Sequence, residues 1–211
     1  MPRVRSRTAL AILAALTLSA CGAGGPGTGP AVSEGDPAAC PGRVIDVAVS
    51  VGQWGDLVRT LAGACADVTT VISSGAIDPH DFEPGTAALA ALSSADLVVL
   101  NGAGYDHWAQ DAVATLDTGP VIVSAAEVAD VPAQGADPHL WYSPDVVSRM
   151  STAVSSALTS LAGRAAAGYL AQRAAVWAAD LQPYDDAVHA LAAVAPGHTF
   201  AARAGIWCYK N

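Results

Sequence analysis

Four short apolar runs rich in β-branched residues punctuate the chain: Val44–Ser50, Val68–Ser73, Asp96–Asn101 and Pro120–Ser124. Each is nearly continuous rather than alternating, the pattern of a strand covered on both faces. Between them lie segments of helical character, Trp54–Ala64, Pro84–Ser94 and His107–Thr115. This alternation predicts βαβ units and a parallel sheet with helices on both faces. In such sheets ligands bind beyond the carboxyl ends of the strands.

The texture changes further on. Ser143-Pro144-Asp145 reads as a helix start, with a serine cap and proline in the first turn, and the helix should run to about Leu161. A second helical stretch, Arg164–Val194, is rich in Ala, Leu, Gln and Arg. Unbroken it would extend ~46 Å. Pro183 lies inside it and predicts a bend or a split. The fold class is therefore α/β, a parallel-sheet lobe with flanking helices plus a long helix that acts as a strut.

The N-terminus adds an address. Arg3, Arg5 and Arg7 precede an apolar stretch, Ala9–Leu18, that is short for a bilayer span. It leads into Leu18-Ser19-Ala20-Cys21, which matches a bacterial lipoprotein signal with Cys21 as the lipidated residue; a simple secretory signal is the alternative. Residues 1–20 are thus read as a signal peptide and 21–39, dense in Gly and Pro, as a flexible tether. The mature protein is expected outside the cytoplasmic membrane, cell-surface or periplasmic, held by acyl chains. Loss of the three signal arginines takes the net charge from −9 to −12. An acidity of this size argues against a nucleic-acid partner, which needs clustered Lys and Arg.

Cys40 and Cys65 each precede a predicted strand. If those strands are parallel neighbours, both cysteines lie at one sheet edge and can form a disulfide, which an extracytoplasmic address permits. Two free buried thiols are the alternative. Cys208 is left over.

The chemistry centres on a repeated tripeptide. Asp-Pro-His occurs as Asp78-Pro79-His80 and as Asp137-Pro138-His139. Composition alone would yield about 0.02 copies. Histidine is the commonest metal ligand, and the proline before it stiffens the presenting loop. His80 follows the second strand and His139 the fourth, so both fall on the ligand-binding side. The alternative for each is a histidine that merely caps a turn. Asp78 and Asp137 either orient the imidazoles or start turns, and the turn reading is slightly favoured. His107 opens a helix and is read as capping or surface rather than ligating. His189 is read as solvated, and His198 opens the last apolar segment. No His-Glu-x-x-His helix, Gly-x-Ser-x-Gly elbow or phosphate-cradling loop is present, so a binding protein is a simpler reading than an enzyme. The alternatives are a metal-dependent hydrolase built on the same two histidines and a remnant that binds nothing usefully.

The segments Ile77-Asp78-Pro79-His80-Asp81-Phe82-Glu83-Pro84 and Asp137-Pro138-His139-Leu140-Trp141-Tyr142-Ser143-Pro144 resemble the two histidine loops of the zinc/manganese-binding lipoproteins of ABC importers, the ZnuA/TroA-like solute-binding proteins. Asp96–Trp108 resembles the same family between those loops, and the likeness runs from residue 43 to about 202. It implies two lobes joined by a long helix, with the metal between them and His80 and His139 as the first lobe's ligands. Captured Zn²⁺ or Mn²⁺ would pass to an ABC importer permease driven by an ATPase. Imidazole-rich shells favour zinc and added carboxylates favour manganese. On this likeness residues 40–144 form the metal-binding lobe, 145–194 the helical linker, and 195–211 the start of a second lobe with an aberrant tail. In the family a third ligand, His or Glu, follows the strand after the linking helix. Here Gly197–Ala202 resembles that strand, and Arg203–Asn211 departs from the pattern. The second lobe is therefore expected to be largely missing, through a frameshift or premature end.

Overall fold

The computed structural model describes residues 31–33, 39–116, 119–132 and 135–194. Five strands form one sheet: β1 (Ala31–Ser33), β2 (Ile45–Val51), β3 (Ala66–Ile72), β4 (Leu97–Leu100) and β5 (Val121–Ser124), in the order β1-β3-β2-β4-β5. The four predicted strands are present within a residue or two and pair in parallel. β1 is an addition. It lies in the stretch whose composition predicts a tether and pairs antiparallel with β3, Val32 opposite Thr69. Three residues between glycine- and proline-rich flanks carry too short a pattern to announce a strand. The outer edge of β3, already built, supplies the template.

β2, β3 and β4 are largely buried because helices cover both faces, whereas Val121 and Ile122 in β5 stay exposed. α1 (Gly52–Ala62), α5 (Pro144–Ala162) and the first turns of α6 (Ala167–Val194) pack together on one face; α2 (Thr86–Ser94) and α3 (His107–Ala114) pack on the other. The one-turn α4 (Ala125–Val128) follows β5 directly. α5 shows how sequence sets this packing. Ser143 caps it by accepting from the Val146 N–H, Pro144 takes its first turn, and Val146, Met150, Val154, Leu158 and Ala162, spaced by four, form its buried stripe. The chain runs β2 to β3 in one direction and returns past β2 to β4 and β5. The reversal falls between β2 and β4, where open α/β sheets place their ligand crevice.

Among the described residues, the contacts that anchor α6 fall in its first half. The Tyr169 hydroxyl accepts from the Ala64 N–H at 2.9 Å, the Arg173 Nε–H donates to the Thr60 carbonyl at 2.8 Å, and Leu170 is its one fully buried residue. Of the bend or split expected at Pro183, the split does not occur: the helix continues through it. The lost bond concerns the carbonyl of Ala179, which like Pro183 lies on an exposed face where water replaces the missing donor. Its 28 residues span about 42 Å. Among the described residues no helix is long and apolar enough to cross a membrane.

Cys40 and Cys65 are joined by a disulfide beside the start of the paired strands β2 and β3, where Ile45 sits opposite Ala66. The bond closes a loop across 25 positions. In the chain-entropy view this contributes ~3 kcal/mol. Reduction is expected to lower the unfolding free energy by about that amount in a denaturant titration, and an unchanged midpoint would contradict it.

Candidate metal centre

Three connections at the carboxyl edge of the sheet build the site: residues 73–85 after β3, 101–106 after β4, and 135–139. The first is pinned by buried Pro79 and by Phe82, whose ring lies 4.8 Å from that of buried Trp108. His80, between them, stays exposed. The two Asp-Pro-His tripeptides share one local device. Asp78 Oδ1 accepts the His80 backbone N–H at 2.9 Å, and Asp137 Oδ1 accepts that of His139 at 3.0 Å. Each aspartate therefore closes a turn, as expected.

The imidazoles then diverge in a way the tripeptide does not reveal. His139 Nδ1 lies 2.6 Å from Asp137 Oδ1, so this aspartate orients the ring as well as the turn. His80 Nδ1 lies 3.2 Å from the carbonyl oxygen of Gly104, contributed by a different loop. The carbonyl can only accept, as can an ionised carboxylate, so both Nδ1 atoms carry protons. The lone pair of each neutral ring is left on Nε2, the form that binds a metal. The backbone N–H of His139, and then its side chain, hold the Asp137 carboxyl below its usual range and outweigh burial.

Between the imidazoles sits Tyr105, buried, with its ring 5.1 Å edge-on from His80 and 6.3 Å from His139. Trp141 lies 5.2 Å from both Tyr105 and His139. Burial pushes the Tyr105 phenol up, so it stays neutral. Its hydroxyl accepts a long, 3.4 Å bond from Gln53 Nε2. His80 and His139 line one open cleft of about 550 Å³ with Ala103, Gly104, Ala136 and Asp137. That is far more room than one cation occupies, so these side chains form one wall of a site. Among the described residues no third His, Cys, Asp or Glu joins them in a cluster fit for a metal.

Beneath this wall runs a buried polar chain. Ser50, Asn101 and Asp106 each have no exposed surface. Asp106 accepts from the Ser50 hydroxyl, from the Asn101 N–H at 2.7 Å and from the Gly102 N–H at 2.8 Å. Burial pushes its carboxyl up and those bonds oppose the shift. Asn101 accepts from Trp54 Nε1 at 3.0 Å and donates to the carbonyls of Gly102 at 3.1 Å and Pro138 at 2.9 Å. The turn is tight. Gly102, Ala103 and Gly104 all have positive φ, 75°, 51° and 77°. A Cβ on Gly102 would lie 2.6 Å from that of Ala126. The carboxylates of Asp78, Asp106 and Asp137 are thus each engaged by hydrogen bonds around the cleft.

Of the other histidines, His107 is exposed at the start of α3 and outside the cleft, and His189 is exposed on α6 with Nδ1 2.8 Å from the Asp185 carbonyl. His198, Cys21 and the tail from Arg203 lie outside the described residues. Asn101, Tyr105, Asp106 and the Gly104 carbonyl went unassigned in the sequence. The usable signal was a Gly-Ala-Gly turn directly after the predicted strand that ends at Asn101.

Comparison with known proteins bears on this geometry. Manganese-binding lipoprotein MntA of Halalkalibacterium halodurans is 28% identical over 178 residues, which is 83% of this chain and 55% of that protein. The periplasmic zinc-binding protein TroA of Treponema pallidum shares the fold with a TM-score of 0.60 at 21% identity, over 69% of this chain and 54% of that one. FpvC of Pseudomonas aeruginosa, solved in complex with Ni²⁺, aligns with a TM-score of 0.58 at 25% identity, over 71% and 55% of the two chains. The chain spans about half the length of the relatives it matches. The family model for the periplasmic component A of the zinc-uptake complex matches residues 47–210, nearly all of the chain beyond its N-terminal segment, and the chain belongs to that family.

Proposed function

We propose that this chain captures Zn²⁺ or Mn²⁺ outside the cytoplasmic membrane through His80 and His139 and delivers it to the permease of an ABC importer. One observation carries the reading. The two histidines of the repeated tripeptide line one cleft, and both have Nδ1 committed to an oxygen acceptor, leaving Nε2 for the metal. Membership of the zinc-uptake family and the manganese-binding relative support the cargo and its delivery. Cys21 would carry the lipid that keeps the protein at the membrane surface. Residues 40–144 are the metal-binding lobe and 145–194 the helical linker.

The test is competition for Zn²⁺ and Mn²⁺ against a chelator of known affinity, run at several pH values. Each Nε2 must be unprotonated to bind, so affinity falls in acid. At the acid end the logarithm of affinity is expected to change by about two per pH unit, one for each imidazole. Asp137 adds no third proton, because its depressed pKa keeps it ionised until well below the interval in which imidazoles titrate. His80→Ala is expected to reduce the slope to about one. Binding that does not vary with pH would sink the reading.

A further inference from the structure

Both histidines are held by the same short turn, residues 101–106, through different atoms. The Gly104 carbonyl accepts from the His80 ring. The Asn101 carboxamide donates to the carbonyl of Pro138, the residue just before His139. Asn101 is itself clamped from beneath. Its oxygen accepts from Trp54 Nε1, its second donor position serves Gly102, and its backbone N–H is taken by Asp106. With Asn101 fully buried and every one of these groups satisfied, the carboxamide has one orientation available.

We propose that Asn101 is a positioning residue for metal capture, its bond to Pro138 fixing the His139 loop to the turn that orients His80 and so setting the separation of the two imidazoles. The inference rests on His80 and His139 being the ligands. A pair of monodentate ligands on separate loops gains affinity only if their spacing is preset; otherwise binding must also order one loop. No other side-chain hydrogen bond among the described residues links the turn 101–106 to the loop bearing His139. Outer groups of this kind change metal affinity by about 10- to 100-fold when removed.

The experiment measures Zn²⁺ affinity by chelator competition on the full chain and on Asn101→Ala, His80→Ala, His139→Ala, Asn101→Ala/His139→Ala and Leu92→Ala. Leu92 is buried on α2, away from the cleft, and its truncation controls for general destabilisation. Asn101→Ala is expected to weaken Zn²⁺ binding at least about tenfold, with no further loss when added to His139→Ala and no loss in Leu92→Ala. Spacing matters only while both ligands are present. Wild-type affinity in Asn101→Ala alongside weakened His80→Ala and His139→Ala overturns the positioning role alone. An equal loss in the His139→Ala background, matched by Leu92→Ala, also overturns it, since that is the mark of a structural residue. Undiminished binding in both histidine variants would remove the underlying reading and this inference with it. If Asn101→Ala cannot be purified folded, Trp54→Phe frees the same carboxamide while keeping a ring in the core. A weakening of Zn²⁺ binding by a few-fold is then expected, and unchanged affinity overturns the proposal.

Discussion

Replacement of His80 or His139 by alanine is expected to lower Zn²⁺ affinity by two orders of magnitude or more, with little change in stability. The two halves of this expectation have separate physical sources. His80 is exposed and His139 half-buried, so neither ring fills core volume, and surface truncations of this kind usually change stability by less than ~0.5 kcal/mol. Affinity, by contrast, depends on every bond to the ion when few protein ligands are present. Loss of one of two imidazoles leaves a single monodentate contact, which hydrated Zn²⁺ exchanges readily for water. Asp137→Asn should produce a smaller loss. The carboxamide still accepts the His139 N–H bonds but no longer supplies a negative charge to raise the basicity of the ring. If either alanine variant retained wild-type affinity, that histidine would not be a ligand.

Asp106→Ala should be the most damaging single change to the fold that leaves the apolar core intact. It strips the acceptor from the Ser50 hydroxyl and from two backbone N–H groups, all buried. An unsatisfied buried donor costs ~1–3 kcal/mol, so the three together should cost roughly 3–5 kcal/mol once the relief of burying a carboxyl is set against them. Urea unfolding at neutral pH would show this, and a loss below about 1 kcal/mol would mean that water replaces the carboxylate without difficulty. The wild type carries a pH signature as well. A carboxyl whose folded pKa is raised holds its proton more tightly in the folded state. Its contribution is therefore most favourable in acid and declines as pH rises from the ordinary carboxylate range through the raised value. Asp96 has the opposite sign. Burial opposes its ionisation, but the Arg43 side chain and the Asp46 N–H hold its pKa below the usual range. Its contribution is present above that range and lost as pH falls through the depressed value. Asp106→Ala should remove the first trend and leave the second.

The strands were legible because burial on both faces demands unbroken apolar runs, and Val44–Ser50 and Val68–Ser73 have few other readings. Their parallel pairing in turn made the Cys40–Cys65 bond a geometric consequence, since neighbouring strands that start together bring preceding residues together. The two histidines stood out through repetition of a stiff tripeptide. What surrounds them did not, for three physical reasons. Asn101 and Asp106 look like ordinary turn residues, and only tertiary burial makes them a network. The two aspartates open the same Asp-Pro-His tripeptide, yet only Asp137 reaches its neighbour's ring, because at His80 the Gly104 carbonyl from another loop takes that place. At Pro183 a local rule was overridden, since one missing bond on an exposed face is a small loss to a helix of 28 residues. The strand at Ala31–Ser33 shows the same limit from the other side, being induced by an edge rather than encoded by a pattern.

The assignment of both metal-binding atoms can be read in one measurement, ¹⁵N spectroscopy of the histidine-labelled chain before and after addition of one equivalent of Zn²⁺. Without metal, His80 and His139 should both show a protonated Nδ1 and an unprotonated Nε2. With Zn²⁺ both Nε2 signals should move together to metal-bound positions while both Nδ1 protons remain, and the signal of exposed His189 should not respond. Zn²⁺ that shifts Nδ1, moves only one of the two rings, or acts on His189 instead would contradict a paired capture site at this sheet edge.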